Sequence, residues 1–182
     1  MSLIIGFIGD KLAGKDLACK YLEEHYQGRH LRYSYVLDSI LDLLDEPISR
    51  EGESKLARGL RTVFNENILG QGILKMLRQS SENLIALDGI RYPAEVPPLK
   101  ALGAHIVYIT APVELRYERY ISRQEKTDDG KLDFEEFKRR DSEASNEVHI
   151  AELGANADLI IQNIGTLDEL YAKLDAMVAQ WQ

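Results

Sequence analysis

Runs of consecutive apolar residues alternate along this chain with longer segments in which apolar residues recur at helical spacing. The strand-like runs are Leu3–Ile8, residues 83–90, His105–Thr110 and residues 157–163. Because the first of them lacks polar alternation, we expect a central strand covered on both faces. Helical segments between the runs supply the crossovers that parallel strands need. The pattern predicts an α/β fold in one compact domain.

The remaining segments are predicted from the same periodicity and from the positions of proline and glycine. A helix follows Lys15, and a weak strand is expected at residues 30–36. Residues 38–79 have a helical pattern, with breaks expected near Pro47 and at Gly70 and Gly72. An amphipathic helix at 112–126 precedes a polar stretch at 127–145, and a closing helix covers 166–181.

A glycine-rich segment, "GDKLAGKD", joins the first strand to the first helix. Gly9, Gly14 and Lys15 satisfy seven positions of the phosphate-binding pattern G-x-x-x-x-G-K-[ST], and Asp16 stands where the hydroxyl belongs. Loop amides and a helix N-terminus attract phosphate, and the lysine reaches its outer oxygens. The alternative is an ordinary strand-to-helix turn that uses glycine for backbone freedom.

A second candidate site follows the second apolar strand, in "IALDGIRYPAEV". Asp88 ends that strand, where a carboxylate can hold magnesium, and Arg91 can bind a phosphate with its two-pronged guanidinium. In the alternative interpretation Asp88 serves the turn and Arg91 makes a surface ion pair.

Cationic residues form a third cluster late in the chain. Arg116, Arg119 and Arg123 share one helix face, while Arg139 and Arg140 follow an acidic segment. A mobile element that brings several cations to a transferring phosphoryl group would have this composition. A solvated helix with internal ion pairs explains the cluster equally well.

Composition narrows the class of partner. The chain has 30 acidic residues against 22 lysines and arginines, a net charge of −8, which disfavours nucleic-acid binding. Its single cysteine, Cys19, is expected in the core. Since the apolar run at Leu3–Ile8 is too short for a membrane span or a signal peptide, we expect no membrane association and a cytoplasmic location.

Taken in order, these motifs resemble the nucleoside-monophosphate-kinase-like P-loop kinases. Within that group the chain looks most like the archaeal-type proteins related to dephospho-CoA kinase, or like adenylate kinases. The resemblance is carried by "GDKLAGKD", "LDGIRYPAEV", "LRYERYISRQEKTDD", "EEFKRRD" and "ADLIIQNIGTLDELYAKL". It implies a three-layer P-loop fold with five parallel strands in the order 2-3-1-4-5. It also implies a helical acceptor-binding insertion at about 38–79 and a lid at about 125–140.

The resemblance also implies residue roles. ATP would be bound by the loop and by three later residues: Gly9, Asp10, Lys11, Leu12, Ala13, Gly14, Lys15, Asp16, Leu17, Arg119, Asn163 and Gly165. The catalytic candidates are Lys15, Asp88, Arg123, Arg139 and Arg140. Arg91 would contact the acceptor, with Arg58 and Arg61 as further substrate-binding candidates, and Asp16 and Asp88 would serve Mg²⁺. Two departures from the family pattern, Asp16 and Lys126, leave room for weakened or altered catalysis.

Asp16 poses an electrostatic problem for a nucleotide site. A carboxylate about 6 Å from a phosphate charge is repelled by roughly 3 kcal/mol at an effective dielectric of about 20. Magnesium between them removes the repulsion, because this cation commonly bridges a protein carboxylate and phosphate. We therefore expect Asp16 to be a magnesium ligand, direct or through water. The alternative is that Asp16 turns away and caps the first helical turn.

The sequence as a whole favours an ATP- and Mg²⁺-dependent kinase. Its acceptor is expected to be a nucleotide-like small molecule, dephospho-CoA or a nucleoside monophosphate, and its state a monomer or homodimer. The alternative function is a nucleotide-binding regulator with little turnover.

Overall fold

The computed structural model describes residues 2–122, 132–143 and 149–182, and its centre is a parallel sheet. The strands are β1 (Leu3–Ile8), β2 (Arg29–Arg32), β3 (Leu84–Asp88), β4 (His105–Thr110) and β5 (Leu159–Gln162). They pair in the order β2-β3-β1-β4-β5, and every pairing is parallel. The predicted α/β class and the strand order implied by the family resemblance are confirmed.

Helices cover both faces of this sheet. They are α1 (Lys15–Tyr26), α2 (Ser34–Leu43), α3 (Arg50–Val63), α4 (Ile68–Gln79), α5 (Val96–Lys100), α6 (Val113–Ser122), α7 (Phe134–Glu143), α8 (Ile150–Ala155) and α9 (Leu167–Trp181), with a 3₁₀ turn at Pro93–Glu95. One apolar core includes side chains of α2, α4, α5 and α8, and the other includes side chains of α1 and α9. β1 contributes to both cores, because its alternate residues point to opposite faces.

The strand expected at residues 30–36 is wrong in its second half. β2 ends at Arg32, and α2 begins at Ser34. The backbone N–H of Tyr33 still donates to the carbonyl of Asp88 at 3.2 Å, after which the chain turns away from the sheet. The apolar residues that follow recur at helical spacing, and Leu37 and Leu41 are buried on α2.

The breaks expected at Gly70 and Gly72 are also wrong, because both residues lie within α4. A Cβ atom at position 72 would come within 2.8 Å of a Val36 methyl carbon. Glycine there lets α4 approach α2 closely, so packing outweighs the low helix propensity of glycine. The break near Pro47 is confirmed, since α2 ends at Leu43 and α3 begins at Arg50.

The polar stretch expected at 127–145 contains a helix, α7, which packs against α6. Phe137 of α7 is buried, and its ring lies 5.2 Å from that of Tyr120. The lid prediction of about 125–140 overlaps α7, while its first part, including Lys126, lies outside the described residues. Within the described part of the chain, no helix is long and apolar enough to cross a membrane.

Candidate active site at the carboxyl edge of the sheet

The glycine-rich loop leaves the central strand β1 and leads directly into α1. Gly9 has φ of 149°, and a Cβ there would collide with the carbonyl oxygen of Ile109 on β4. Only glycine fits this position, so the loop passes tightly over the end of β4. Gly14 is the N-cap of α1, and no side chain caps it. Because the first amides of a helix lack partners within the helix, they are available to a bound anion.

Lys15 folds back over the loop that precedes it. Its Nζ donates to the carbonyls of Gly9 at 2.8 Å and Asp10 at 2.9 Å. Its positive charge also reaches Asp88, whose carboxylate it favours. The ammonium group therefore lies between the loop and the end of β3.

Asp16 and Asp88 meet beside this lysine. Their carboxyl groups are close enough to interact electrostatically, and the backbone N–H of Gly89 donates to Asp88 at 2.7 Å. Burial raises the pKa of Asp88; Lys15 opposes that effect, and the negative charge of Asp16 adds to it. Asp16 is therefore close to Asp88, the other residue that was predicted to bind magnesium. Two close carboxylates with a shared excess of negative charge suit a divalent cation.

Arginines of α6 hold the outer side of the loop. Arg119 donates to the carbonyls of Leu12 at 3.1 Å and Asn163 at 2.8 Å, and burial lowers the pKa of its guanidinium. The side-chain amide of Asn163 donates in turn to Ala13 at 2.8 Å, so the segment after β5 is fastened to the loop. Arg119 and Asn163 both lie at the loop, as their predicted nucleotide roles require. Those roles stay predictions.

Arg116 lies deeper and joins three elements. Its guanidinium forms a two-pronged ion pair with Asp141 of α7, at 2.7 and 2.6 Å. It also donates to Ala111 at 3.1 Å and to Lys11 of the loop at 3.2 Å. The helix α7, which overlaps the second half of the predicted lid, is therefore tied to the loop through one buried side chain.

The acceptor-binding candidates lie on the opposite side of Asp88. Arg61 of α3 stacks over the ring of Tyr92 at 4.5 Å, and its charge reaches Glu95, as does that of Arg91. Arg58 is exposed on the same helix as Arg61. The structure brings Arg61 and Arg91 together around Glu95; substrate binding by all three arginines stays a prediction.

The remaining predicted residues lie farther from the loop or outside the described chain. Arg139 and Arg140 both pair with Glu136 on their own helix, at 2.9 and 2.6 Å. These two arginines hold the pKa of Glu136 down to about 2. Gly165 is exposed just before the N-cap of α9. Arg123 lies outside the described residues.

Comparison with known proteins gives relatives of two kinds. No family model matches the chain. A UPF0200 protein from Saccharolobus islandicus is 35% identical over 116 residues, which cover 62% of this chain and 60% of that protein. The chain thus spans about three fifths of the length of such relatives. A dephospho-CoA kinase from Chlamydia pneumoniae is 24% identical over 197 residues, covering 95% of this chain and 93% of the kinase.

A solved shikimate kinase from Acinetobacter baumannii, in complex with shikimate, superposes over 99% of this chain and 94% of its own. The TM-score is 0.59 and the identity 17%. The chain has a P-loop kinase fold. At this identity the likeness concerns the fold alone, and the site must be interpreted from its own residues.

Three polar residues near the candidate site were not singled out by the sequence. Asp141 is the ion-pair partner of buried Arg116, and Tyr33 and Glu95 lie near Arg61. Of the three, only Glu95 could have been found from the local sequence, because it lies three residues after Tyr92, the spacing of a capping box. In the structure its carboxylate accepts the backbone N–H of Tyr92 at 3.1 Å.

The Arg116 connection in this P-loop fold gives a stability prediction. Arg116→Lys removes the two-pronged geometry and the bond to Ala111, so we expect a loss of about 2 kcal/mol in the free energy of unfolding. Arg140→Lys alters an exposed pair and should cost much less. Chemical denaturation of both variants checks the difference; equal losses would show that Arg116 does not join these elements.

Proposed function

We propose that this chain is an ATP-dependent phosphotransferase that moves the γ-phosphoryl group to a nucleotide-like small molecule. The observation that carries the proposal is the meeting of Lys15, Asp16 and Asp88 at the carboxyl edge of the parallel sheet. The site lies outside the carboxyl ends of the neighbouring central strands β1 and β3, and ligands of open parallel sheets bind at this edge.

The loop and its lysine would bind the phosphates of ATP. The first amides of α1 have no side-chain cap and can bind an anion, and Lys15 can exchange its two carbonyl partners for phosphate oxygens. Arg119 keeps the loop in place from behind through its bonds to Leu12 and Asn163. This arrangement supplies fixed positive charge where negative charge develops during transfer.

The carboxylates fit the magnesium that the fold implies. Mg²⁺ usually takes one or two carboxylates together with waters and phosphate oxygens, and Asp16 and Asp88 offer that number. Within the described residues no cluster of three or more acidic, histidine or cysteine ligands exists, so a fully protein-coordinated metal is not expected there. Bound at this pair, the cation would neutralise charge on the transferring phosphates.

A nucleotide-like acceptor is favoured by the charges on the other side of Asp88. Arg61 and Arg91 approach the end of β3 from α3 and from the loop after β3. Guanidinium groups bind phosphate in a two-pronged manner, so these residues suit an acceptor that already carries a phosphate group. The Chlamydia relative is named a dephospho-CoA kinase, and its substrate has this character.

An ADP-release assay tests the proposed reaction. Dephospho-CoA, AMP, CMP, dTMP and deoxycytidylate would each be supplied with ATP and Mg²⁺, beside a reaction without acceptor. We expect at least one acceptor to raise the rate of ADP release at least tenfold. ATP binding with no stimulation by any of them would favour the nucleotide-binding regulator instead.

The lid at about 125–140 gives a further prediction. Its polar residues are expected to become ordered when nucleotide supplies a partner for their charges. Hydrogen exchange across this stretch should slow at least several-fold on addition of ATP and Mg²⁺, while α9 serves as an internal control. High protection without nucleotide would identify the stretch as a static surface segment.

A further inference from the structure

Three buried polar atoms on the acceptor side of the sheet have no hydrogen-bond partner. They are Oε1 of Glu95, the hydroxyl oxygen of Tyr33 and Nε of Arg61. Glu95 is only 1% exposed and Tyr33 only 5% exposed. Buried polar groups in folded proteins are nearly always bonded, so several orphans in one neighbourhood indicate a missing partner.

The three atoms come from separate elements and belong to one neighbourhood. Tyr33 follows β2, Arg61 lies on α3, and Glu95 ends the 3₁₀ turn after β3. The charges of Glu95 and Arg61 both act on the Tyr33 hydroxyl, in opposite directions. A carboxylate, a phenol and a guanidinium are therefore near one another without bonding to one another.

One carboxylate oxygen of Glu95 is held by two hydrogen bonds, while the other has no hydrogen-bond partner. Its Oε2 accepts the backbone N–H groups of Arg91 at 2.9 Å and Tyr92 at 3.1 Å. These bonds fix the carboxylate and leave Oε1 available to a donor. Arg61 is fixed in a comparable way by stacking on Tyr92. A rigid set of donors and acceptors loses little freedom when a ligand binds.

The position of the cluster connects it with the transfer site. The backbone N–H of Tyr33 donates to the backbone carbonyl of Asp88, and the side chain of Asp88 interacts with that of Asp16. The cluster of Glu95, Tyr33 and Arg61 therefore adjoins the end of β3 that carries Asp88. This side of Asp88 is also where Arg91 lies.

We propose that Glu95, Tyr33 and Arg61 form a recognition site for a hydroxyl-bearing phosphate ester. This proposal rests on the proposed function, because that molecule is the phosphoryl acceptor. A sugar hydroxyl donates to Glu95 Oε1 and bonds to the Tyr33 hydroxyl. Arg61 Nε donates to an oxygen of the anionic group. Glu95 and Tyr33 therefore determine specificity for hydroxylated acceptors over their deoxy counterparts.

Equilibrium binding tests this site without relying on turnover. Isothermal calorimetry would compare ribose 5-phosphate, AMP and CMP with 2-deoxyribose 5-phosphate, dAMP and dCMP, on the wild-type protein, Glu95→Gln and Tyr33→Phe. We expect the wild type to bind at least one hydroxylated member at least tenfold more tightly than its deoxy counterpart. Both variants should lose most of that preference. Glu114→Gln and Tyr171→Phe, which change residues away from the cluster, should keep it.

Stability separates recognition from a structural role. The Tyr33 hydroxyl has no partner in the described structure, so Tyr33→Phe should unfold at the same denaturant concentration as wild type or higher, while losing affinity. The proposal is overturned if no hydroxylated member binds, if the variants keep the wild-type preference, or if Tyr33→Phe loses stability with unchanged affinity. Hydroxyl-selective binding without ADP release would leave this site standing and contradict only the proposed transfer.

Discussion

Lys15→Ala is expected to lower the rate of phosphoryl transfer by about 1,000-fold, which corresponds to about 4 kcal/mol of transition-state stabilisation. The reason is the position of the ammonium group between the loop carbonyls of Gly9 and Asp10 and the carboxylate of Asp88. Among the described residues, no other lysine side chain donates a hydrogen bond to the loop backbone. The rate would be measured by ADP release with the acceptor that the wild type uses best.

Lys20→Ala is the matched control for this experiment. Lys20 is exposed on the same helix, α1, so its loss removes the same charge without touching the loop. Circular dichroism and denaturant unfolding would establish that both variants fold. A folded Lys15→Ala protein with the wild-type rate would be incompatible with a loop that works on phosphate.

Removal of metal is expected to weaken ATP binding far more in wild type than in Asp16→Thr. With magnesium absent, Asp16 and Asp88 face the triphosphate unscreened, and one such repulsion amounts to roughly 3 kcal/mol, or on the order of 100-fold in affinity. The threonine variant lacks one of these charges and carries the hydroxyl usual at this position of the loop. Titration of ATP into each protein, with Mg²⁺ and with EDTA, measures the difference.

Two further variants make this metal prediction specific. Asp88→Asn removes the other carboxylate of the pair and should also reduce the effect of EDTA. Glu24→Gln removes an exposed charge at the far end of α1 and should behave as wild type. Equal losses in wild type and Asp16→Thr would mean that Asp16 serves only the first turn of the helix.

The local pattern of apolar residues was sufficient to predict the central strands of the sheet. The bounds predicted for β1 and β4 are those observed, because each strand contains a continuous apolar run rich in β-branched residues and has a glycine or polar residue close to its ends. The loop between β1 and α1 was likewise predictable, since glycine and lysine at fixed spacing follow a buried strand.

Long-range contacts explain what the sequence did not predict. β2 ends early at a bond between Tyr33 and Asp88, and Gly72 is helical because α4 approaches Val36. The partner of Arg116 is Asp141, on a later helix. Such pairs depend on how the crossovers pack, which periodicity does not specify.

In the candidate site, too, the local sequence predicted some features, while others depend on long-range packing. Sequence identified Lys15, Asp16 and Asp88 singly, from their positions after strands. Their mutual approach depends on the neighbouring placement of β1 and β3, which came from the family resemblance rather than from periodicity. The unpaired oxygens of Glu95 and Tyr33 became visible only once three separate elements were assembled around them.

Direct detection of the phosphorylated product tests the central claim, that this chain transfers a phosphoryl group between small molecules. ATP labelled at the γ-phosphate would be incubated with wild-type protein, Mg²⁺ and the acceptor panel, and the products would be identified by mass spectrometry. The proposed function predicts one labelled phosphoryl group on the acceptor for each ADP released, with no such product from Lys15→Ala. Label found only in inorganic phosphate or only in unreacted ATP, for every acceptor, would contradict it.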